Sequence, residues 1–510
     1  MLHTACHMNQ SATGNGSGGN TTILTRKRPA ALAPSSEAAA LRENGVAFKT
    51  SEGQSLRGTL ARIQRHSAVF ELYSPMAVPR LSEALVEFKI ILRERDIYSG
   101  RAVVSNIVDA GTKTICAVSL DLMDWVDLNL LPGLEPDDAP ANQYKAFLHE
   151  RQNLYKVLPE FKVVVSDLQA YLHDLRQWLD KLELNTHAFT GTFQKQLENK
   201  TAAMLVGPVC ESIETLIERF ESIARSLDDE ESRWAHQVFM RRQLHPLLLC
   251  APFVNHTFTK PYGYTGDFEA VNMIMRNEFE GDSLYAKIIN FWFLQQPPAQ
   301  AHRNRIDFLC KNVIAAAVRL TEDGRTARIA SIGCGPAHEV QRLLRECHLS
   351  DSMEFTLIDF EPRALAYTER TLNDIQRQYD RDSRFTFVKK SVNQILKEAD
   401  KAAAQPAGGQ YDLVYCAGLF DYLADPVCKE LTRILYRWVA PGGCLITTNV
   451  DVSNPRRLTM DYVLEWHLIY RNRGNLMAFK PQSVPEELCR IRSDTTGVNI
   501  YFEAQKPNYA

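Results

Sequence analysis

Apolar positions recur along this chain of 510 residues with two different spacings, and the changes of spacing divide it. From about 45 to 132 they alternate with polar residues in short runs, at 58–63, 68–72, 85–90, 100–105 and 114–118. Period-two runs separated by turns predict strands, here a small antiparallel β-barrel. The stretch 131–140, rich in Pro, Gly and Asp, predicts a linker. From 144 to 184 the spacing becomes helical, with Leu168, Tyr171, Leu172, Leu175, Leu179 and Leu182 on one stripe. Ile213, Leu216, Phe220, Ile223 and Leu227 form a second stripe within 192–227. Long paired helices of this kind can make a homodimer or cap a neighbouring domain, and spacing alone does not choose.

Helix-like segments follow at 270–280 and 283–294, and beyond 310 the two periods interleave. Apolar runs at 328–332, 355–358, 385–388, 411–416 and 444–449 alternate with helical patterns that include 339–349 and 427–438. The runs 488–493 and 498–505, on either side of Asp494-Thr495-Thr496-Gly497, predict a closing antiparallel hairpin. The expected division is a disordered tail (1–44), a barrel (45–132), a helical domain (141–235), a cap and entrance (236–309) and an α/β domain (310–507). Residues 1–44 earn their place as a tail by being rich in Gly, Ser, Asn, Thr and Ala, too poor in apolar surface to offset the entropy of ordering.

Composition narrows the function classes. Hydrophobic content of 45% and charged content of 23% are ordinary for a globular protein, and a net charge of −3 supplies no general attraction to nucleic acid or anionic membranes. The basic triplet Arg26-Lys27-Arg28 and the acidic run 228–231 read as solvated charge. No apolar run approaches the ~20 residues that span a bilayer, and the first twenty residues lack the apolar core of a signal peptide, so a cytoplasmic location is expected. Eleven cysteines, with no Cys-x-x-Cys pair, predict buried small hydrophobes and neither a disulfide framework nor a metal site.

The chemistry gathers at 326–362. An apolar run stops at Gly333-Cys334-Gly335-Pro336-Ala337, a helical pattern begins at Glu339, and the next apolar run ends in Asp359. Glycines at such a turn let backbone N–H groups approach a polar ligand, and an acid about 20 residues on is placed to hold a ribose. A nicotinamide-binding fingerprint requires a third glycine where this chain has His338. Gly333-x-Gly335-x-Ala337 followed by Asp359 instead resembles motif I and the second-strand acid of the class I S-adenosylmethionine-dependent methyltransferases, although Ser331 stands where that family often has Asp or Glu. Tyr411-Asp412-Leu413-Val414 resembles the family's motif IV, and Ala440-Pro441-Gly442-Gly443 its turn before the fifth strand.

That resemblance implies a Rossmann-like, seven-stranded mixed sheet and S-adenosyl-L-methionine as cofactor. It carries donor contacts to Gly333, Cys334, Gly335, Ala337, Glu339, Asp359, Phe360, Ser391, Val392, Ala417 and Gly418, with His338 lining the donor pocket. Near the acceptor it points to Asp421, Tyr422 and the segment 461–470. Asp461 and Glu465 would share a helix face, and His467 reads either as a base or as a structural residue beside Trp466. The strand order of 45–132 resembles a PilZ domain, but Arg65-His66-Ser67-Ala68 lacks the acid and glycine of that family's ligand-binding turn, so cyclic di-GMP binding is not expected.

The loop Lys260-Pro261-Tyr262-Gly263-Tyr264-Thr265-Gly266-Asp267, the phrase Phe291-Trp292-Phe293-Leu294-Gln295-Gln296-Pro297 and Arg303-Asn304-Arg305 are more particular. With them the chain resembles the bacterial extracellular-factor 3-hydroxypalmitic acid methyl ester biosynthesis proteins, which make a quorum-sensing signal. This implies a small-molecule acceptor, a hydroxy fatty acid, with Tyr262, Tyr264, Asp267, Arg303, Arg305 and Trp466 around it. A protein substrate, or a scaffold with a vestigial site, are the competing expectations.

Overall fold

The computed structural model describes residues 44–64, 66–73, 78–92, 95–109, 113–121, 125, 157–184, 191–227, 230–321, 324–400 and 410–508. The expected tail up to 43, the basic triplet, Arg65 of the PilZ-like turn, the linker 131–140 and the side chains of the acidic run lie outside the described residues.

The alternating region closes as expected. Strands β1 (Asn44–Lys49), β2 (Ser55–Gln64), β3 (Ser67–Tyr73), β4 (Ala84–Leu92), β5 (Arg95–Asp109) and β6 (Lys113–Leu120) form a barrel in the order β1-β2-β3-β6-β5-β4, each neighbouring pair antiparallel. Every second residue of β3 and β6 is buried, and Phe48, Phe70, Phe88 and Tyr98 pack in the interior. Asn44, assigned to the tail by composition, already pairs with Leu92.

Helices α1 (Pro159–Leu184), α2 (Gly191–Arg225) and α3 (Glu230–Leu248) bury the predicted stripes against one another and against α4 (Pro252–Thr259) and α6 (Leu284–Gln295). The same apolar cluster contains Tyr462, Val463 and Leu464 from the far end of the chain, so these helices are packed onto its C-terminal part. Between α4 and α6 lies α5 (Phe268–Arg276), and α7 (Pro297–Thr321) leads into the sheet. Both α3 and α7 run unbroken across the boundaries expected at 235 and 309.

The sheet has β7 (Ala327–Ile332), β8 (Met353–Asp359), β9 (Arg384–Lys389), β10 (Tyr411–Cys416), β11 (Val439–Val450), β12 (Cys489–Ser493) and β13 (Asn499–Gln505) in the order β12-β13-β11-β10-β7-β8-β9. Its helices are α8 (His338–Glu346), α9 (Pro362–Tyr379), α10 (Val392–Asp400) and α11 (Asp425–Trp438). Strands β9-β8-β7-β10-β11 are parallel, and β13 runs antiparallel between β11 and β12. The chain leaves β7 for β8 on one side and later returns to β10 on the other. Such a reversal opens a crevice at the carboxyl ends of the strands.

One helix expected from spacing is absent. Residues Met460–Leu464 form a single π turn and Glu465 is left-handed with φ 50°, so Asp461 and Glu465 do not share a helix face. The reason is tertiary: Glu465 is drawn into a buried ion cluster.

Candidate functional site

The crevice holds a cavity of about 220 Å³. Its floor begins where β7 ends. Gly333 and Cys334 both donate N–H bonds to the Ile358 carbonyl, at 2.8 and 3.1 Å, which ties the turn to β8. Gly335 then donates from its N–H to Asp359 Oδ2 at 2.9 Å, and the Glu361 N–H reaches Oδ1 at 3.0 Å. Gly335 has φ 50°, and a Cβ there would meet no protein atom within 4 Å, so the space it leaves open belongs to the cavity.

Asp359 is buried, and no Lys or Arg nitrogen among the described residues is within ion-pair distance of it. Burial pushes its carboxyl above the usual range, against the pull of the Glu361 and Gly335 N–H groups and the charge of Arg80. A carboxylate offers about four acceptor positions, and the two N–H bonds leave the others for a ligand's hydroxyl groups. Such a group, in a turn whose glycine gives free space, fits the ribose of a nucleoside cofactor. Phe360 and Tyr264, with ring centroids 5.3 Å apart, stand beside it as flat apolar walls.

The opposite end is built on the turn after β10. Gly418, at φ 86°, donates its N–H to Thr448 Oγ1 at 2.9 Å, and a Cβ on it would fall 2.8 Å from Arg305 Nη1. Glycine is needed because the Arg305 guanidinium lies across this turn. Arg305 is 8% exposed; among the described residues its Nε has no hydrogen-bond partner, and the polar partner of its Nη2 is the His302 ring, at 3.0 and 3.1 Å. No carboxylate among the described residues pairs with it. Burial, with Arg305 beside it, holds His302 well below the ordinary histidine pKa, so that ring is neutral.

Asp421 Oδ1 accepts from the Val450 N–H at 2.7 Å, and burial pushes this carboxyl up to about 6. Tyr422 Oη accepts from Trp466 Nε1 at 2.9 Å and donates to the Thr265 carbonyl at 3.3 Å. A Cβ on Gly266 would come 2.6 Å from that hydroxyl, which explains the glycine in the aromatic loop. Deeper in, Glu339 accepts from the Tyr415 hydroxyl at 2.8 Å, and burial raises its pKa. Phe253, Ile274, Phe293, Met460, Leu464 and Leu468 give the remaining wall an apolar stretch, which Gln296, Arg456, Thr459 and Asn499 interrupt.

Every donor residue expected from motif order lines this cavity, and so does His338. Among the acceptor residues, Asp421, Tyr422, Tyr264, Arg305 and Trp466 line it. Four do not. His467 bonds through Nδ1 to Asp461 at 3.1 Å and lends its backbone to Ser82, so the structure does not place it as a base in the cavity. Arg303 is consumed by the carbonyls of Ile274 and Leu294 and by the Gln300 side chain. Asp267 caps α5 and also contacts His256, while Tyr262 packs between Phe268 and Arg363 outside the wall.

Sequence reasoning missed Arg80 and Leu81 of the barrel, and His302, Arg456 and Met460. His302 sits three residues from Arg305, at helical spacing, and was within reach of a pattern argument. Nothing local marks Arg80. Among the described residues there is no cluster of three or more His, Cys, Asp and Glu able to hold a metal ion, and no helix long and apolar enough to cross a membrane.

Behind Trp466 lies the ion cluster. Glu465 contacts Arg241 of α3, and Lys260 and Arg101 each approach it to 3.6 Å. Burial opposes its charge, but Arg241, Lys260 and Arg101 together hold it well below the ordinary carboxylate range. Burial pushes Lys260 down to about 7 against the pull of Glu465, with Arg101 and Arg241 adding to the shift.

Residues 330–445 match the family model described as a methyltransferase domain. No curated protein matches the chain in sequence. Among solved structures, a possible exported protein from Bordetella parapertussis is 18% identical, with 50% of this chain and 86% of that one covered and a TM-score of 0.37. The N-methyltransferase NodS from Bradyrhizobium japonicum WM9, in complex with S-adenosyl-L-homocysteine, is 15% identical, covering 46% and 98%, with a TM-score of 0.28. Magnesium protoporphyrin IX methyltransferase from Synechocystis PCC 6803 is 12% identical, covering 47% and 94%, with a TM-score of 0.30. With its glycine turn and second-strand acid, the segment matched by that model is a methyltransferase domain, and the sheet that contains it, closed by the antiparallel hairpin of β12 and β13, has the class I methyltransferase fold.

Proposed function

We propose that this protein transfers a methyl group from S-adenosylmethionine to a small, largely apolar molecule that carries a carboxylate, of the kind of a hydroxy fatty acid. The observation that carries the reading is Arg305: a guanidinium 8% exposed, facing the cavity with an unpaired Nε and, among the described residues, no acid within ion-pair distance. A buried cation without a partner is costly, and a ligand's carboxylate would supply the missing charge and two acceptor oxygens.

The donor, when bound, supplies an electrophilic methyl group. Asp359 and the open space beside the glycine turn suit its ribose, Phe360, Ser391 and Val392 its base, and Glu339 its amino group. Arg305 would orient the acceptor's carboxylate, which is ionised at neutral pH and needs no base. That agrees with a cavity in which His467 has no place. Asp421 can accept from an acceptor hydroxyl, and the wall from Phe253 to Leu468 would take the apolar chain and exclude water. The barrel, PilZ-like in strand order, is read as wall-forming and not as a nucleotide sensor; micromolar cyclic di-GMP binding in a titration would overturn that.

The test supplies the protein and S-adenosylmethionine with an isotopically heavy methyl to a cell extract. Label in a small, solvent-extractable ester supports the reading. Label confined to protein, or none transferred, rejects it.

A further inference from the structure

We propose that Arg80, carried by the barrel, is a ligand of the methyl donor's adenosine, so that the nucleoside is held between the barrel and the methyltransferase sheet. The inference rests on the donor reading above and extends it to a module outside the methyltransferase domain.

Residues 78–83 join the barrel to the cavity, and the segment is pinned on both sides. Ser82, fully buried and left-handed at φ 62°, donates from Oγ to the His467 carbonyl at 2.9 Å and accepts from the His467 N–H at 2.6 Å. Glu83, also buried, accepts from the Ser51 N–H and hydroxyl at 2.6 and 2.7 Å and from the Arg80 N–H at 2.6 Å. The Ala84 N–H reaches the Gly263 carbonyl at 2.6 Å, in the aromatic loop. Gly263 is glycine for this contact, since a Cβ there would fall 2.6 Å from Ser51 Cβ. The backbone that presents Arg80 is therefore set by the barrel and the catalytic part together.

The Arg80 side chain lines the cavity with its guanidinium carbon 3.4 Å from the centroid of the Phe360 ring, next in sequence to Asp359. Its Nη2 contacts Glu52, so its charge is already matched. Its Nη1 is buried and has no acceptor among the described residues. What this donor lacks is a neutral acceptor at the nucleoside end of the cavity, not an anion. Purine ring nitrogens and ribose oxygens are such acceptors, and a buried N–H left without one costs more than its bond contributes.

The test measures binding by calorimetry, without turnover, for the full chain and for Arg80→Ala and Arg80→Gln, with S-adenosylhomocysteine and with 5′-methylthioadenosine, which lacks the amino-acid end. Arg80→Ala is expected to weaken both ligands by the same factor, about tenfold, the loss of one charge-assisted hydrogen bond. Arg80→Gln, which retains an N–H donor and the stem, should fall between and serves if the alanine variant does not fold. Unchanged affinity overturns the inference, as does tighter binding, which would mean that Arg80 occupies the nucleoside's place. A weakening seen with S-adenosylhomocysteine alone also overturns it. Binding by the unmodified chain separates the two levels: if it binds neither ligand the donor reading fails too, whereas equal binding by all variants sinks only the role of Arg80.

Discussion

Buried charge is treated in opposite ways at the Glu465 junction and in the cavity beside it. At the junction one acid gathers Arg241, Lys260 and Arg101 from a helix, a loop and the barrel, and its pKa falls although it is buried. In the cavity, among the described residues, Asp359 and Asp421 have no cation and Arg305 no acid within ion-pair distance, and burial raises both carboxyls. The first arrangement is complete within the protein and holds three parts of the chain together. The second is incomplete, and what is missing matches the polar groups of a nucleoside and a carboxylate. Compensation by the chain itself is what separates a structural ion cluster from a binding site.

The contrast breaks most visibly at Glu465. Glu465→Gln leaves two arginines and a lysine around an uncharged group and is expected to cost about 3–5 kcal/mol in denaturant unfolding. Adding Lys260→Met should recover part of that loss; no recovery would mean that the cluster is not held by charge.

Asp421→Asn tests the opposite sign. Its folded pKa of about 6 lies above the unfolded value, so ionisation opposes folding above about pH 6 and the penalty is relieved as pH falls through 6 towards 4. The asparagine variant should therefore be more stable by about 2–3 kcal/mol at pH 8, with the gain fading at low pH. A gain that persists unchanged at pH 4 would rule out the charge as its cause.

Arg305→Met keeps the volume and removes the donors. Its KM for a carboxylate acceptor should rise roughly 30-fold, about 2 kcal/mol for a hydrogen-bonded charge, with donor affinity little changed. Donor affinity falling instead would move the carboxylate it binds to the donor's own amino-acid end. The smallest effect is expected for Asp359→Ala, which should weaken S-adenosylhomocysteine about tenfold in a titration while leaving the thermal transition intact.

Much of the floor was legible because it is local. Gly333, Gly335 and Asp359 are related by strand, turn, helix and strand, a unit whose geometry follows from periodicity and from two glycines. The motif IV turn at Ala417 and Gly418 follows the same rule, as does the hairpin of β12 and β13. Legibility declined with the range of the contacts. Arg303 and Arg305 are two apart on one helix, and only packing decides that one meets carbonyls while the other meets the cavity. His467 could be read as a base or as a structural residue, because nothing in its neighbourhood announces that its backbone is fastened to Ser82.

By itself, then, the order of residues determined the barrel, the helical stripes, the mixed sheet and the glycine turn, because each arises from contacts between residues near in sequence or repeated at a regular spacing. Only the tertiary structure decided the roof of the cavity, where Arg80 lies over Phe360 and Glu465 collects its three cations. Those contacts join segments hundreds of residues apart, and the energy that selects them, desolvation balanced against pairing, exists only once the segments are buried together.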